Sequence, residues 1–242
     1  MAKQPTFTRE TTLAEATRLL PGAVAIFEEM EIDYSCQGPR SLADAAHDAG
    51  YHVEEVIERL ESSRGSDHAT NWFREPLPAL IDFLTNDHRS TVGEHLPELR
   101  NRIEDVASSI GETAELRRIR VLFGHLAAAL QTHVINEERE LFPFISRLHT
   151  AKTDLLGAPR MRISQRVLRE LVEHEAFRDR LHTLKHLVQR LPENAPVRKL
   201  REDLSTFVEE INRHMHMENN ILYPRSIEIE NGLRKTAAAA TA

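Results

Sequence analysis

The chain has 242 residues, of which 40% are hydrophobic, 29% charged and only 5% aromatic, with a formal net charge of -7. With 9 Gly and 11 Pro it lacks the turn residues a β-sandwich or barrel needs, and its acidity argues against a nucleic-acid partner. No apolar run approaches the roughly 18–20 residues of a membrane span, the N-terminus carries no signal-peptide pattern, and a single cysteine fits a reducing compartment, so a cytoplasmic protein with no membrane partner is expected.

Residues 1–61 read as a small helical domain. Thr12-Leu13-Ala14-Glu15 is a capping box, Pro21-Gly22 breaks the first helix, and a second runs near residues 23–30. A Gly/Pro loop, Ile32-Asp33-Tyr34-Ser35-Cys36-Gln37-Gly38-Pro39, precedes a short helix that opens at Ser41 and ends at Gly50. Val53, Val56, Ile57 and Leu60 then mark one helical face. So few core positions imply that this domain leans on something larger. Residues 62–75 are polar and read as a linker.

Residues 76–230 carry four long helical seams whose apolar positions alternate three and four apart. Breaks fall near Gly111, Gly157-Ala158-Pro159 and Pro192–Pro196, and Pro97 should kink the first helix. The expected fold is all-α: an antiparallel four-helix bundle preceded by the small helical domain, with residues 231–242 a flexible tail.

Six ionisable residues occupy the middle of these seams: His88, His133, Glu137, His174, His214 and Glu218. Burying such groups unpaired costs several kcal/mol each, and a metal would compensate. The order repeats. His133-Val-Ile-Asn-Glu137 and His214-Met-His-Met-Glu218 are both His-x-x-x-Glu, and each continues to Leu-aromatic-Pro: Leu141-Phe142-Pro143 and Leu222-Tyr223-Pro224. Each copy is preceded by a lone seam histidine, His88 or His174. Residues four apart share a helix face, so two such helix pairs place four imidazoles and two carboxylates around the bundle centre. That set suits two metal ions, each with two His, bridged by the two Glu. Imidazole with carboxylate suits Fe, Zn or Mn, and few ligands per ion leave open positions for small-molecule chemistry.

His95 lies seven residues past His88 and is an additional candidate ligand or partner of one. His216 is expected to face away from the seam. Glu138 and Glu173 sit beside ligand positions and could orient the ligands, but they read first as solvated charges. Cys36, in its Gly/Pro loop, is a candidate reactive thiol.

These residues resemble hemerythrin-like HHE proteins and, more narrowly, the RIC family of iron–sulfur cluster repair di-iron proteins. The bundle resemblance rests on His133-x-x-x-Glu137-Glu138-x-x-Leu141-Phe142-Pro143, Glu173-His174-Glu175 and His214-x-x-x-Glu218-Asn219-Asn220-Ile221-Leu222-Tyr223-Pro224. The N-terminal resemblance rests on Phe27-Glu28, residues 32–38 and Ser41-Leu42-Ala43-Asp44-Ala45-Ala46. The family's usual Asp-Tyr-Cys-Cys-Gly-Gly reads Asp33-Tyr34-Ser35-Cys36-Gln37-Gly38 here, with one thiol instead of two.

The resemblance implies two non-haem Fe ions: His88 and His133 on one, His174 and His214 on the other, with Glu137 and Glu218 bridging. It implies repair of clusters damaged by nitrosative or oxidative stress, by binding or reducing NO or by supplying iron. NO or O2 would be the small ligands, damaged iron–sulfur proteins the clients, and a homodimer is allowed. Cys36 would act from a lid over the bundle. Two rivals stand beside this reading. One is a hemerythrin-like oxygen or NO carrier or sensor without turnover. The other is a bundle with a metal-free buried polar network.

Overall fold

The computed structural model describes residues 6–65, 69–150 and 162–240. The expected break at Gly157-Ala158-Pro159 and linker residue His68 lie outside them. The small domain is built from α1 (Leu13–Leu19), α2 (Ala23–Glu29), α3 (Leu42–Asp48) and α4 (Val53–Ser63). Thr12 and Glu15 form the expected capping box, and Ser41 caps α3 through the Asp44 amide. Gly50 supplies the positive φ that ends the α3 turn. Leu13, Phe27, Met30, Leu42, Val56 and Leu60 lead its apolar core.

The bundle has four rods. The first joins α5 (Leu77–His88) to α6 (Leu96–Ile110), and the second joins α7 (Ala114–Asn136) to α8 (Phe142–Thr150). The third is the unbroken α9 (Ile163–Gln189), and the fourth joins α10 (Ala195–Met217) to α11 (Tyr223–Ala240). Gly111 ends α6 at positive φ, Thr113 caps α7, and Asn194 caps α10. α6 packs on α10 and α7 on α9, with α9 and α10 also in contact. α11 continues to Ala240, through the stretch where the sequence suggests a tail, because its alanine run favours helix even while exposed. Residues 69–75 pack as well: Trp72 lies against Phe83, and Arg225 donates to the Trp72 and Glu75 carbonyls.

Each broken rod is interrupted by a π-helical segment: Arg89–His95, Glu137–Leu141 and Glu218–Leu222. Each segment ends two residues before a proline, namely Pro97, Pro143 and Pro224. A proline donates no backbone N–H and crowds the carbonyl four residues back. The widened turn places that carbonyl (Gly93, Arg139 or Asn220) inside the π segment, where it no longer needs the missing bond. So Pro97 widens the first rod upstream of itself. The repeated Leu-aromatic-Pro is the signature of the same device used twice more.

Two apolar layers fill the bundle. One gathers Leu99, Ile103, Phe123, Leu181, Leu204 and Phe207 between α6, α7, α9 and α10. The other gathers Leu80, Leu84, Phe142, Ile145, Leu222 and Tyr223 between α5, α8, α9 and α11. The polar belt lies between them, where the π segments begin. Among the described residues no helix is long and apolar enough to cross a membrane.

Candidate metal centre

The six seam residues converge. His88, Glu137, His214 and Glu218 form one buried group, and His133, Glu137, His174 and Glu218 form another, with ligand atoms within 4.8 Å of one another in each. The histidines pair as His88 with His214 (Nε2 to Nε2 3.0 Å) and His174 with His133 (3.1 Å). This corrects the expected pairing of His88 with His133 and of His174 with His214. Chain order links the first rod to the second and the third to the fourth, but packing sets the first rod against the fourth and the second against the third.

The two carboxylates lie between the pairs. Glu137 Oε2 is 3.4 Å from both His88 Nε2 and His133 Nε2. Glu218 turns Oε1 to His214 Nε2 at 3.1 Å and Oε2 to His174 Nε2 at 3.3 Å. Both carboxyl groups are 0% exposed, yet Glu137 Oε2 and Glu218 Oε2 have no hydrogen-bond partner among the described residues. A buried carboxylate oxygen left so costs several kcal/mol unless a cation completes it. Four imidazole nitrogens directed at the same two points supply the rest of a ligand set. The Nε2 atoms of each pair, 3.0 and 3.1 Å apart, are close enough that both could reach one ion at the usual metal–nitrogen distance of about 2.1 Å. The site fits metal on its own chemistry.

Each imidazole is held from behind. The Nδ1 atom of His214 meets Asp87 Oδ2 at 2.6 Å, that of His88 meets Glu138 Oε1 at 3.0 Å, and that of His133 meets Glu173 Oε2 at 3.0 Å and Glu170 Oε2 at 3.2 Å. That of His174 meets Asn219 Oδ1 at 2.7 Å. Such partners fix the tautomer and leave Nε2 free for metal. Glu138 and Glu173 are therefore working partners of ligand histidines, not solvated bystanders. The two aromatics of the repeated motif also line the site. Phe142 stacks on His88 and Tyr223 on His174, with ring centroids 5.7 and 6.1 Å apart. The Tyr223 hydroxyl donates to Glu137 Oε1 at 2.8 Å.

These contacts pull the ionisations apart. Burial pushes His174 down to about 3, with the His133 charge acting the same way. Burial opposes protonation of His214 too, but Glu218 and Asp87 outweigh it and lift this histidine to about 10. Burial and the Glu137 charge raise Glu218 to about 7. Glu137 sits well below the usual carboxylate range, because His133 and His88 overcome its burial.

His95 does not join the centre. It is partly exposed on the bundle flank and bonds Glu210 Oε2 at 2.7 Å, which raises its pKa. Seven residues of α-helix would return it to the His88 face, but the π segment between them turns less per residue and swings it aside. His216 is buried at the domain junction, edge-on to Tyr34 at 5.3 Å and 2.9 Å from Asn220.

The small domain sits over this centre through its 33–38 loop. Asn219 Nδ2 donates to the Ser35 carbonyl at 3.0 Å, and Asn220 Nδ2 to the Tyr34 carbonyl at 3.1 Å. Arg213 grips both oxygens of Glu28 at 2.8 Å, and Arg178 reaches Asp33 at 3.4 Å. A Cβ at Gly38 would fall 1.8 Å from Asn220 Oδ1, so a larger residue here would have to displace the Asn220 side chain. Cys36 is half-buried with Sγ 3.9 Å from Asn219 Nδ2, and burial beside Asp33 raises its thiol to about 11. A cavity of about 20 Å³, walled by Val92, Leu130, Phe177, Ile211 and Met215, opens on all four histidines. It also holds the buried Thr91, whose Oγ1 has no partner among the described residues.

Sequence reasoning missed Asp87, Thr91, Glu170, Asn219 and Tyr223. Asp87 and Asn219 adjoin ligand positions in the chain, and Tyr223 stands in the repeated Leu-aromatic-Pro.

Residues 79–226 match the family described as hemerythrin HHE cation binding domain, and residues 9–64 match a domain of unknown function, DUF542. The chain is 28% identical over 230 residues to a protein named iron-sulfur cluster repair protein YtfE from Yersinia pseudotuberculosis serotype IB (strain PB1/+), covering 92% of this chain and 99% of the relative. The similarity to the protein of the same name from Yersinia pestis (strain Pestoides F) has the same identity and extent. With both domains matched in order, the chain belongs to the hemerythrin HHE family, in the two-domain form of the RIC proteins.

Proposed function

We propose that this chain is a non-haem di-iron protein that repairs iron–sulfur clusters damaged by nitrosative or oxidative stress. The observation that carries the reading is the pair of buried carboxylates, Glu137 and Glu218, each lying between two histidine pairs with an oxygen lacking a hydrogen-bond partner. His88 and His214 would hold one iron, His133 and His174 the other, and the two carboxylates would bridge them. Ferrous iron held there would supply electrons and a binding point for NO or O2. Asp87, Glu138, Glu170, Glu173 and Asn219 keep the four imidazoles presenting Nε2. The apolar walls of the small cavity exclude bulk water, and the Thr91 hydroxyl offers one hydrogen bond to a diatomic there. The seated loop 33–38 covers the His174 side. The relatives' printed name supports the repair reading, with damaged iron–sulfur proteins as clients.

A second reading, a carrier or sensor without turnover, draws on the same cavity, which has room for a diatomic and little else. One experiment separates them. Protein purified without oxygen is assayed for iron per chain beside His133→Ala and His214→Ala, then mixed with NO. About two irons, lost in both variants, with NO consumed and a nitrosated iron–sulfur enzyme reactivated, is the expected result. A stable reversible adduct without repair selects the carrier. A chain without iron refutes both.

A further inference from the structure

We propose that Asn219 is the positioning residue for the metal held by His133 and His174, and that the seating of the small domain sets how firmly that metal is retained. This rests on the iron reading above and asks which ion is released, and under what control.

Among the four imidazoles, three are backed by carboxylates and one by an amide. Asp87 backs His214, Glu138 backs His88, and Glu170 and Glu173 back His133. His174 has Asn219. A carboxylate only accepts, so it holds Nδ1 in its donor form without help. An amide has an accepting end and a donating end, and either could face an imidazole.

What orients this amide belongs to the other domain. Asn219 Nδ2 lies 3.0 Å from the Ser35 carbonyl, which only accepts. That places Oδ1 toward His174, so His174 Nδ1 must donate and its Nε2 must carry the lone pair. Nε2 in turn faces His133 Nε2 at 3.1 Å and Glu218 Oε2 at 3.3 Å. Without the Ser35 carbonyl the amide is free to turn over. Its N–H would then face His174 Nδ1 and favour the tautomer protonated on Nε2, which cannot ligate. A neutral amide also strengthens an imidazole less than a carboxylate does, so His174 is the least strongly supported of the four imidazoles.

The seat is soft. Its ion pairs, Arg213–Glu28, Arg178–Asp33 and Lys185–Glu31, each have at least one partly or largely exposed partner and contribute little. The close fit of Gly38 on Asn220 is the most easily spoiled contact. Lifting the loop thus removes the orienting carbonyl from His174, whereas His88 and His214 are backed by Glu138 and Asp87 of the bundle itself.

The test loads the full chain with two ferrous ions per chain, adds excess ferrous chelator without oxygen, and follows release of each ion. Asn219→Ala is expected to speed loss of one ion about tenfold or more and leave the other unchanged. Gly38→Ala, which must displace the Asn220 side chain that holds the loop, should speed the same phase, and Arg213→Ala should do so more mildly if Gly38→Ala fails to fold. Asn219→Asp provides the readout a structural role would not move. A carboxylate has no donor end to turn over, so in that background Gly38→Ala and Arg213→Ala should no longer accelerate release. Equal release from all variants overturns the proposal and leaves the iron reading intact. Acceleration by Gly38→Ala or Arg213→Ala that persists in the Asn219→Asp background overturns it as well. A wild-type chain that binds no iron overturns the iron reading and this proposal together.

Discussion

The two His-x-x-x-Glu copies share helix, register, π-turn and proline, yet their carboxylates differ. In the first copy Glu137 receives the Tyr223 hydroxyl on Oε1 and is held well below the usual carboxylate range, with His133 and His88 overcoming its burial. In the second copy Glu218 takes no phenol. Its counterpart aromatic is Phe142, which stacks on His88 and has no hydroxyl to give. Burial and the charge on Glu137 then raise Glu218 to about 7. A duplicated motif thus yields one carboxylate that stays ionised and one that takes a proton readily. Two equal carboxylates packed together could not both ionise cheaply. The histidines around Glu137 are the main cause of the difference, and the Tyr223 hydroxyl, which has no counterpart at Glu218, adds a hydrogen bond to the ionised Glu137.

The sharpest way to break this comparison is to delete each carboxylate. Glu137→Ala and Glu218→Ala should each lower iron from the proposed two per chain to well under one, measured by elemental analysis, because each lies between both histidine pairs. Retention of both ions in either variant would sink the bridging assignment. Next in size are the groups behind the histidines. Asp87→Ala and Glu138→Ala should each weaken metal binding about 10–100-fold in a competition titration. Asp87 should matter more, since its bond to His214 is shorter, 2.6 Å against 3.0 Å, and it is less exposed than Glu138.

The unequal carboxylates also predict a pH effect. Folded and metal-free, Glu218 (about 7) and His214 (about 10) hold their protons more tightly than unfolded chains do. The stability these two groups supply is therefore present at low pH and lost as pH rises through about 7 and then about 10. Metal must displace the same protons, so affinity should climb between pH 6 and 8 with net proton release on binding. A calorimetric titration in two buffers of different ionisation heat checks this. No proton release at pH 7 would contradict the assigned charges.

Most of the fold was legible because one rule governs it: apolar residues three and four apart name the face a helix buries. The same rule exposed His88, His133, Glu137, His174, His214 and Glu218 as polar intruders on that face, and the structure brings all six together. It could not pair them, because periodicity states which way a residue points and not which rod it meets. It misplaced His95 because the π segment breaks the constant rotation on which seven-residue spacing depends. Glu138 and Glu173, 39% and 37% exposed, look like ordinary surface charges from sequence, and only the fold turns their inner oxygens to the histidines. Asn219 was the least legible. Its role needs a carbonyl from a loop far away in the chain, which no local pattern can announce.

The smallest expected effect tests the comparison at its origin. Tyr223→Phe removes one hydroxyl and leaves Glu137 Oε1 buried without its donor, at a cost of about 1–3 kcal/mol. At about 2–4 °C per kcal/mol for a chain of this size, the metal-free protein should melt a few degrees lower. The phenol is fully buried and the ring should stay stacked on His174, so packing changes little. The larger consequence is chemical. Without the phenol, Glu137 loses part of what keeps it ionised, and the gap between the two carboxylates narrows. Proton release on metal binding should then spread over a wider pH range than in the wild type. If the melting point falls while the proton release stays unchanged, Tyr223 is only a structural strut, and the difference between the two copies must come from the histidines alone.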